Sequence, residues 1–180
     1  MRGNDEEKAC FAVLSLGTMA TLPRVRPRSP ARAKVRHAVV ITSLAQARAA
    51  LAAAASAGVT LELWSAEGAA ASAGAGWFKA VVEAARRAVP GVRFSAVLDC
   101  ADMPGYALGA FRTGLEAVCF SGSAKVAAKL AQVAEVQGSR LLRRRPRRAL
   151  DLAGSSDPYA ACSDWLAGEQ RRPSPTRARR

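Results

Sequence analysis

The chain has 180 residues, 27 Lys/Arg against 14 Asp/Glu for a formal charge of +13, and half of its residues are apolar. That combination suits one domain with a real core and excludes a chain that is disordered throughout. Its four cysteines form no C-x-x-C pair and it has a single histidine, so no zinc site and no disulfide framework are indicated, and the expected compartment is a reducing one.

In chain order, CFAVLSLGTMA comes first, an apolar run the length of a signal-peptide core. Asp5, Glu6 and Glu7 precede it and no A-x-A pattern follows; nothing later approaches the roughly 18 apolar residues of a membrane span, so a cytoplasmic protein is expected. Met19 is an alternative start. PRVRPRSPARAKVR follows, and residues 1–35 are expected to be a disordered basic extension. HAVVITS then reads as a strand. The next segment carries Leu44, Ala47, Leu51 and Ala55 on one helical stripe and stops at Gly58. VTLELW is the second strand, and the small-residue stretch GAAASAGAGWF leads into a helix with Trp77, Phe78, Val81, Val82, Ala85 and Val89 on one side. VRFSAVL follows Gly91 as the third strand. After the short PGYALGAFR helix, Gly114 precedes LEAVCF, the fourth. Ser123 is placed to cap a helix with Val126, Leu130, Val133 and Ala134 along one face, and SRLL after Gly138 is the fifth strand. SSDPYAACSDWLAG predicts a short helix over 157–167, capped by Asp157, within a C-terminal tail of residues 153–180.

Glycine ends each helical pattern because it tolerates the left-handed backbone found there. The strand runs, AVVI and SAVL above all, are nearly continuous in apolar residues, as in a parallel sheet covered on both faces. The expected fold is α/β: a single open, mostly parallel sheet of about five strands over residues 36–152, with helices on both faces in the flavodoxin or Rossmann manner. Charge agrees with this division. Residues 1–37 hold eight basic and three acidic residues, 38–142 nine and seven, and 143–180 ten and four, so the middle is nearly neutral and the flanks are basic, and RRRPRR with RRPSPTRARR is expected to be largely disordered.

In such folds ligands bind at the carboxyl edge of the sheet. Thr42 and Ser43, Ser65 and Glu67, Asp99, Cys100 and Asp102, Ser121 and Ser123, and Arg143 to Arg145 follow the five strands there. From these, Ser43, Glu67, Asp99, Asp102, Ser121 and Ser123 are the ligand-binding candidates. Asp99 leads, because a carboxylate at the end of a buried strand costs several kcal/mol unless it is hydrogen-bonded or metal-bound. A group kept for a ligand destabilises the free protein, so Asp99→Asn is expected to leave stability unchanged or raise it. Asp102, before Met103 and Pro104, is placed to cap the short helix. His37 begins its strand at the opposite end, which disfavours a catalytic role. Cys100 and Cys119 read as buried structural thiols. No G-x-G-x-x-G, no P-loop and no G-x-S-x-G elbow occurs, so no cofactor is identified.

LDCADMPGYALGAFRTGLEAVCFSG resembles an L-D-C-G-D-x-P-G-x-A-x-x-A-x-R-x-G stretch of an uncharacterised bacterial α/β family, and ALDL at 149–152 resembles its closing motif. The resemblance spans roughly 36–152 and implies the fold but no activity; Ala101 stands where that pattern has glycine. The rhythm from Arg112 to Phe120 is also similar to the repeat of phosphate-binding β/α barrels, although the core is too short for eight such units. The functional expectation is a domain that binds a small, anionic ligand at the carboxyl edge. The alternatives are a lyase or aldolase-like or metal-assisted enzyme using Asp99, and a nucleic-acid-associated protein acting through its Arg-rich tails. Such tails bind polyanions in a salt-sensitive, sequence-blind way, but the chain-wide bias to Ala, Arg, Gly and Pro is the favoured account of them, and they hold no interleaved aromatic for base stacking.

Overall fold

A computed structural model of the chain describes residues 37–170. The expectations for the extension 1–35, with CFAVLSLGTMA, Cys10 and Met19, and for RRPSPTRARR at 171–180 lie outside the described residues.

Six strands form one sheet: β1 (His37–Ile41), β2 (Leu61–Ser65), β3 (Phe94–Asp99), β4 (Ala117–Cys119), β5 (Arg140–Leu142) and β6 (Leu150–Asp151). Their order is β5-β4-β3-β2-β1-β6, and every pairing is parallel. The helices are α1 (Leu44–Ala57), the short α2 (Ala69–Ser72), α3 (Gly74–Ala88), α4 (Pro104–Arg112), α5 (Ala124–Val136) and α6 (Pro158–Gln170). This is the open parallel α/β sheet that the glycine-punctuated pattern predicts, with one more strand, contributed by ALDL. Gly58, Gly91, Gly114 and Gly138 all have φ between 64° and 85°, the backbone that punctuation requires.

The strand order decides where the helices go. From β1 to β5 each crossover moves one strand in the same direction, and right-handed crossovers repeated in one direction leave their helices on one face. Accordingly α6, α1, α3, α4 and α5 pack in a row, each against the next. Their apolar faces share one core with Val39, Ile41, Leu63, Leu98, Val118 and Phe120, which alternate onto that side. The opposite side carries a smaller cluster of Ala38, Val40, Trp64, Val97, Ala117 and Cys119 against Leu142, with no helix residue in it. The described helices thus lie in one layer, where continuous apolar strands implied two. Both faces of the strands are nevertheless buried, which is why their sequences do not alternate.

The return from β5 to β6 is made without a helix, by RRRPRRA at 143–149. These strands are opposite edges, so a flat sheet would separate them by five spacings, about 24 Å. Eight peptide steps from Leu142 to Leu150 reach at most about 29 Å, and the segment must also travel from carboxyl to amino ends. This strap bends at residues 143–144 and 147–148, so it is not fully extended, and the sheet must curl to bring its two edges within reach; midway along the strap Arg145 lies over Trp64 of the second face. On that same face Arg140 Nη2 of β5 lies 3.4 Å from Glu62 Oε1 of β2, across two intervening strands.

The helix expected over 157–167 is α6. Asp157 Oδ1 accepts from Ala160 N at 3.0 Å, and Cys162 and Leu166 are fully buried in the main core against α1. Among the described residues no helix is long and apolar enough to cross a membrane.

Candidate functional site at the carboxyl edge

β3 carries Asp99 to the carboxyl edge, beside the end of β2 at Ser65. The Asp99 side chain is 4% exposed. Its Oδ1 accepts from Gly68 N at 3.0 Å and Ala101 N at 2.9 Å, and its Oδ2 accepts from Arg145 Nη1 at 2.7 Å. The Asp99 N–H donates to Ser65 Oγ at 2.8 Å, and Arg145 Nη2 donates to the Ser65 carbonyl at 3.1 Å. The Arg145 guanidinium also lies 5.4 Å from the centre of the Trp64 ring, within cation–π range. A carboxylate removed from water needs this much compensation. One side chain thereby ties together the loop after β2, its own turn and the middle of the strap.

The turn after Asp99 is equally constrained. Met103 N donates to the Cys100 carbonyl at 3.0 Å, Cys100 N to Cys119 O at 2.9 Å and Ser121 N to Ala101 O at 2.7 Å. Ala101 takes φ 48°, the one non-glycine residue with positive φ among the described residues. This is the position where the resembling pattern has glycine. The same turn makes Met103 the N-cap of α4, with no side-chain cap, and Pro104 stands in the first turn. Asp102 precedes the cap by one residue and is exposed, so the capping role expected of it is not realised.

Ser43 caps α1, its Oγ accepting from Gln46 N at 3.2 Å, while Gln46 Nε2 donates to Leu152 O at 2.8 Å and ties β1 to β6. It sits two strands from Asp99, outside the cluster. Glu67 is exposed in the loop whose Gly68 N–H meets Asp99. Ser121 is exposed, and Ser123 caps α5 as expected, accepting from Val126 N at 3.4 Å. Arg143 reaches this point from the strap, donating to Gly122 O at 2.7 Å and Ser123 O at 3.4 Å, its guanidinium 5.7 Å from the Phe120 ring centre. Asp99, Glu67, Asp102 and Ser121 are thus gathered around one turn, and Ser123 with Arg143 forms its neighbour.

Burial, with the Asp99 charge second, pushes the Cys100 thiol up to about 12, and the same two causes raise Cys119 to about 11. Both stay protonated at neutral pH. His37 is at the amino end of β1, buried edge-on to Trp165. Among the described residues no group of three or more His, Cys, Asp or Glu is arranged to hold a metal ion. A cavity of about 390 Å³ lies at the opposite, amino edge, between Gly58, Val59 and Thr60 and Pro90 to Arg93. It contains no carboxylate, thiol or imidazole, so hollow and titratable chemistry occupy different edges. Arg93 is the one ionic side chain in its lining, so the hollow offers few groups to orient a ligand.

The feature that motif reading missed is the strap. The described residues hold 14 Lys/Arg against 11 Asp/Glu, a net +3, yet five of those cations fall within 143–148. Arg143, Arg144, Arg147 and Arg148 are exposed. Arg148 pairs with Glu169 at 2.7 Å, whereas Arg144 and Arg147 make no hydrogen bond or ion pair with a described residue. No protein family matches this chain, and no curated protein matches it.

Proposed function

We propose that this protein is a binding domain that takes a small anionic ligand at the carboxyl edge of its sheet, between the turn after β3 and the start of α5. The observation that carries this reading is the setting of Arg143. Its guanidinium is held by two neutral carbonyls and forms no ion pair with a described carboxylate, so it is positioned without a direct counter-charge. The exposed Ser121 and Ser123 and the free N–H groups of the first turn of α5 are its neighbours, and both a helix start and an uncompensated guanidinium favour an anion. An Asp99 enzyme has less support. The Asp99 side chain is 4% exposed, it accepts three hydrogen bonds and one of them ties it to Arg145, whereas a general base must be within reach of its substrate.

The test is an NMR titration of the full chain with inorganic phosphate. Amide shifts at Ser121, Ser123, Ala124 and Lys125 are expected to saturate, and Arg143→Gln to weaken that saturation at least tenfold. Shifts confined to residues 54–60 and 90–93 would place the anion in the amino-edge cavity and overturn the reading.

A further inference from the structure

We infer that the outward arginines of the strap bind the phosphodiester backbone of nucleic acid without regard to sequence. The inference concerns Arg144 and Arg147 and does not depend on the small-anion site at Arg143.

Three features of the strap support it. Its fixed points are spread along its length: Arg143 on the carbonyls before α5, Arg145 on Asp99 and Ser65, and Arg148 on Glu169 of α6. The cations between and beside these anchors therefore sit on a segment tied down along its length, which bends at residues 143–144 and 147–148. Those anchors lie at the start of α5, at the ends of β2 and β3, and on α6, so the cations are spread across the fold rather than gathered at one point. Guanidinium groups spread in this way suit a chain of phosphates better than one compact anion. Arg144 and Arg147 are also the cations that no described carboxylate neutralises, so their charge is available to a partner.

An anionic bilayer fits less well. Stable attachment to lipid combines charge with apolar insertion, and the large apolar side chains that are exposed here, Trp77, Tyr106, Val133, Val136 and Tyr159, belong to α3, α4, α5 and α6, whereas RRRPRR itself holds none. The flanks also favour a polymer: of the chain's +13, the described residues account for +3, so the rest of the chain carries a further net +10.

The experiment measures binding of the full chain to a fluorescent 20-base-pair DNA of arbitrary sequence as a function of salt. Each phosphate contact contributes a slope of about −0.9 in log K against log salt. Arg144→Gln with Arg147→Gln is expected to flatten the slope by about 1.8, with melting temperature unchanged because neither side chain holds the fold. The control removes two exposed arginines away from the strap, Arg48→Gln with Arg87→Gln, and is expected to change the slope by less than a third as much. Equal changes in the two double variants would show that net charge alone acts, and an unaltered slope in the strap variant would show that other segments bind; each overturns the inference, as does absence of DNA binding by wild type. Binding to phosphatidylserine vesicles that depends on the same two arginines, without DNA binding, overturns it in favour of a membrane. The phosphate titration is read on Arg143→Gln instead, so the two proposals fail separately.

Discussion

Asp99 and Arg145 form an ion pair in which the two partners are buried to different degrees, and that asymmetry predicts which substitution costs more. The Asp99 side chain is 4% exposed and that of Arg145 28%. Asp99→Asn keeps Oδ1, and with it the bonds from Gly68 N and Ala101 N. It replaces Oδ2 by an NH₂ group facing Arg145 Nη1 at 2.7 Å, so one charge-assisted bond becomes a donor–donor contact. The guanidinium left behind has access to water and turns toward it. The expected loss is about 1.5–3 kcal/mol, the range of a hydrogen bond to a charged group. Arg145→Gln leaves the charge on the partner that water cannot reach, removes the bond to Ser65 O and uncovers Trp64. Breaking a buried pair in that way costs about 3–5 kcal/mol. The more exposed residue is therefore the more damaging one to replace.

Urea unfolding followed by tryptophan fluorescence reads both, since Trp64 is 1% exposed beneath Arg145. The double variant, which has neither charge, is expected to fall short of additivity by at least about 1 kcal/mol, as for residues in direct contact. The order Arg145→Gln worse than Asp99→Asn, with coupling, is the signature of a structural anchor. If instead Asp99→Asn is as stable as wild type or more so, and the pair shows no coupling, the anchor argument is refuted and Asp99 returns to the role that its strand-end position first implied, a carboxylate held for a ligand.

Three other substitutions or conditions test the same region. Ala101→Gly is expected to stabilise by roughly 0.5 kcal/mol, the relief of a left-handed alanine at φ 48° less the freedom glycine gains when unfolded, while Ala101→Val is expected to cost more than about 1 kcal/mol; chemical denaturation distinguishes them. Gly122→Ala would put a Cβ 2.4 Å from Cζ of the buried Phe120 ring, so calorimetry is expected to find a loss of about 1–3 kcal/mol from overpacking. The buried thiols set an alkaline limit: with Cys100 raised to about 12 and Cys119 and Cys162 to about 11 from an ordinary 9.0, the unfolded chain releases protons that the folded one keeps. Stability is therefore unaffected by them below pH 9 and falls as pH rises through 9 to 11, by up to about 1.4 kcal/mol per pH unit for each thiol. Melting curves of wild type and Cys162→Ala across that window are expected to diverge, with the variant losing less.

The fold class was legible because it depends on local signals: a glycine at each helix end and apolar runs of strand length between them. Sidedness was not, since it depends on which strands neighbour one another, and a strand buried on both faces has the same composition whether helices or a strap cover the second one. The stripes were legible only to within one residue. On α3 the buried line is Phe78, Val81, Val82 and Ala85, which turns Trp77 outward to 39% exposure, and on α5 it is Ala127, Leu130 and Ala134, which leaves Val133 at 37%.

Asp99 stood out from sequence because a buried carboxylate must be compensated, but nothing local identified what compensates it: Arg145 is 46 residues further along. That partner was concealed by its company. RRRPRR has the composition of a disordered tail, and dividing the charge at residue 142 assigned it to one. What distinguishes it is the strand that follows. ALDL returns the chain to the far edge of the sheet beside β1, and a connection of seven residues held by a strand at each end is not a tail. Its arginines are therefore positioned by the sheet they cross, and charge that looked like compositional bias becomes, at Arg145, part of the core's own hydrogen bonding and, at Arg144 and Arg147, an ordered surface.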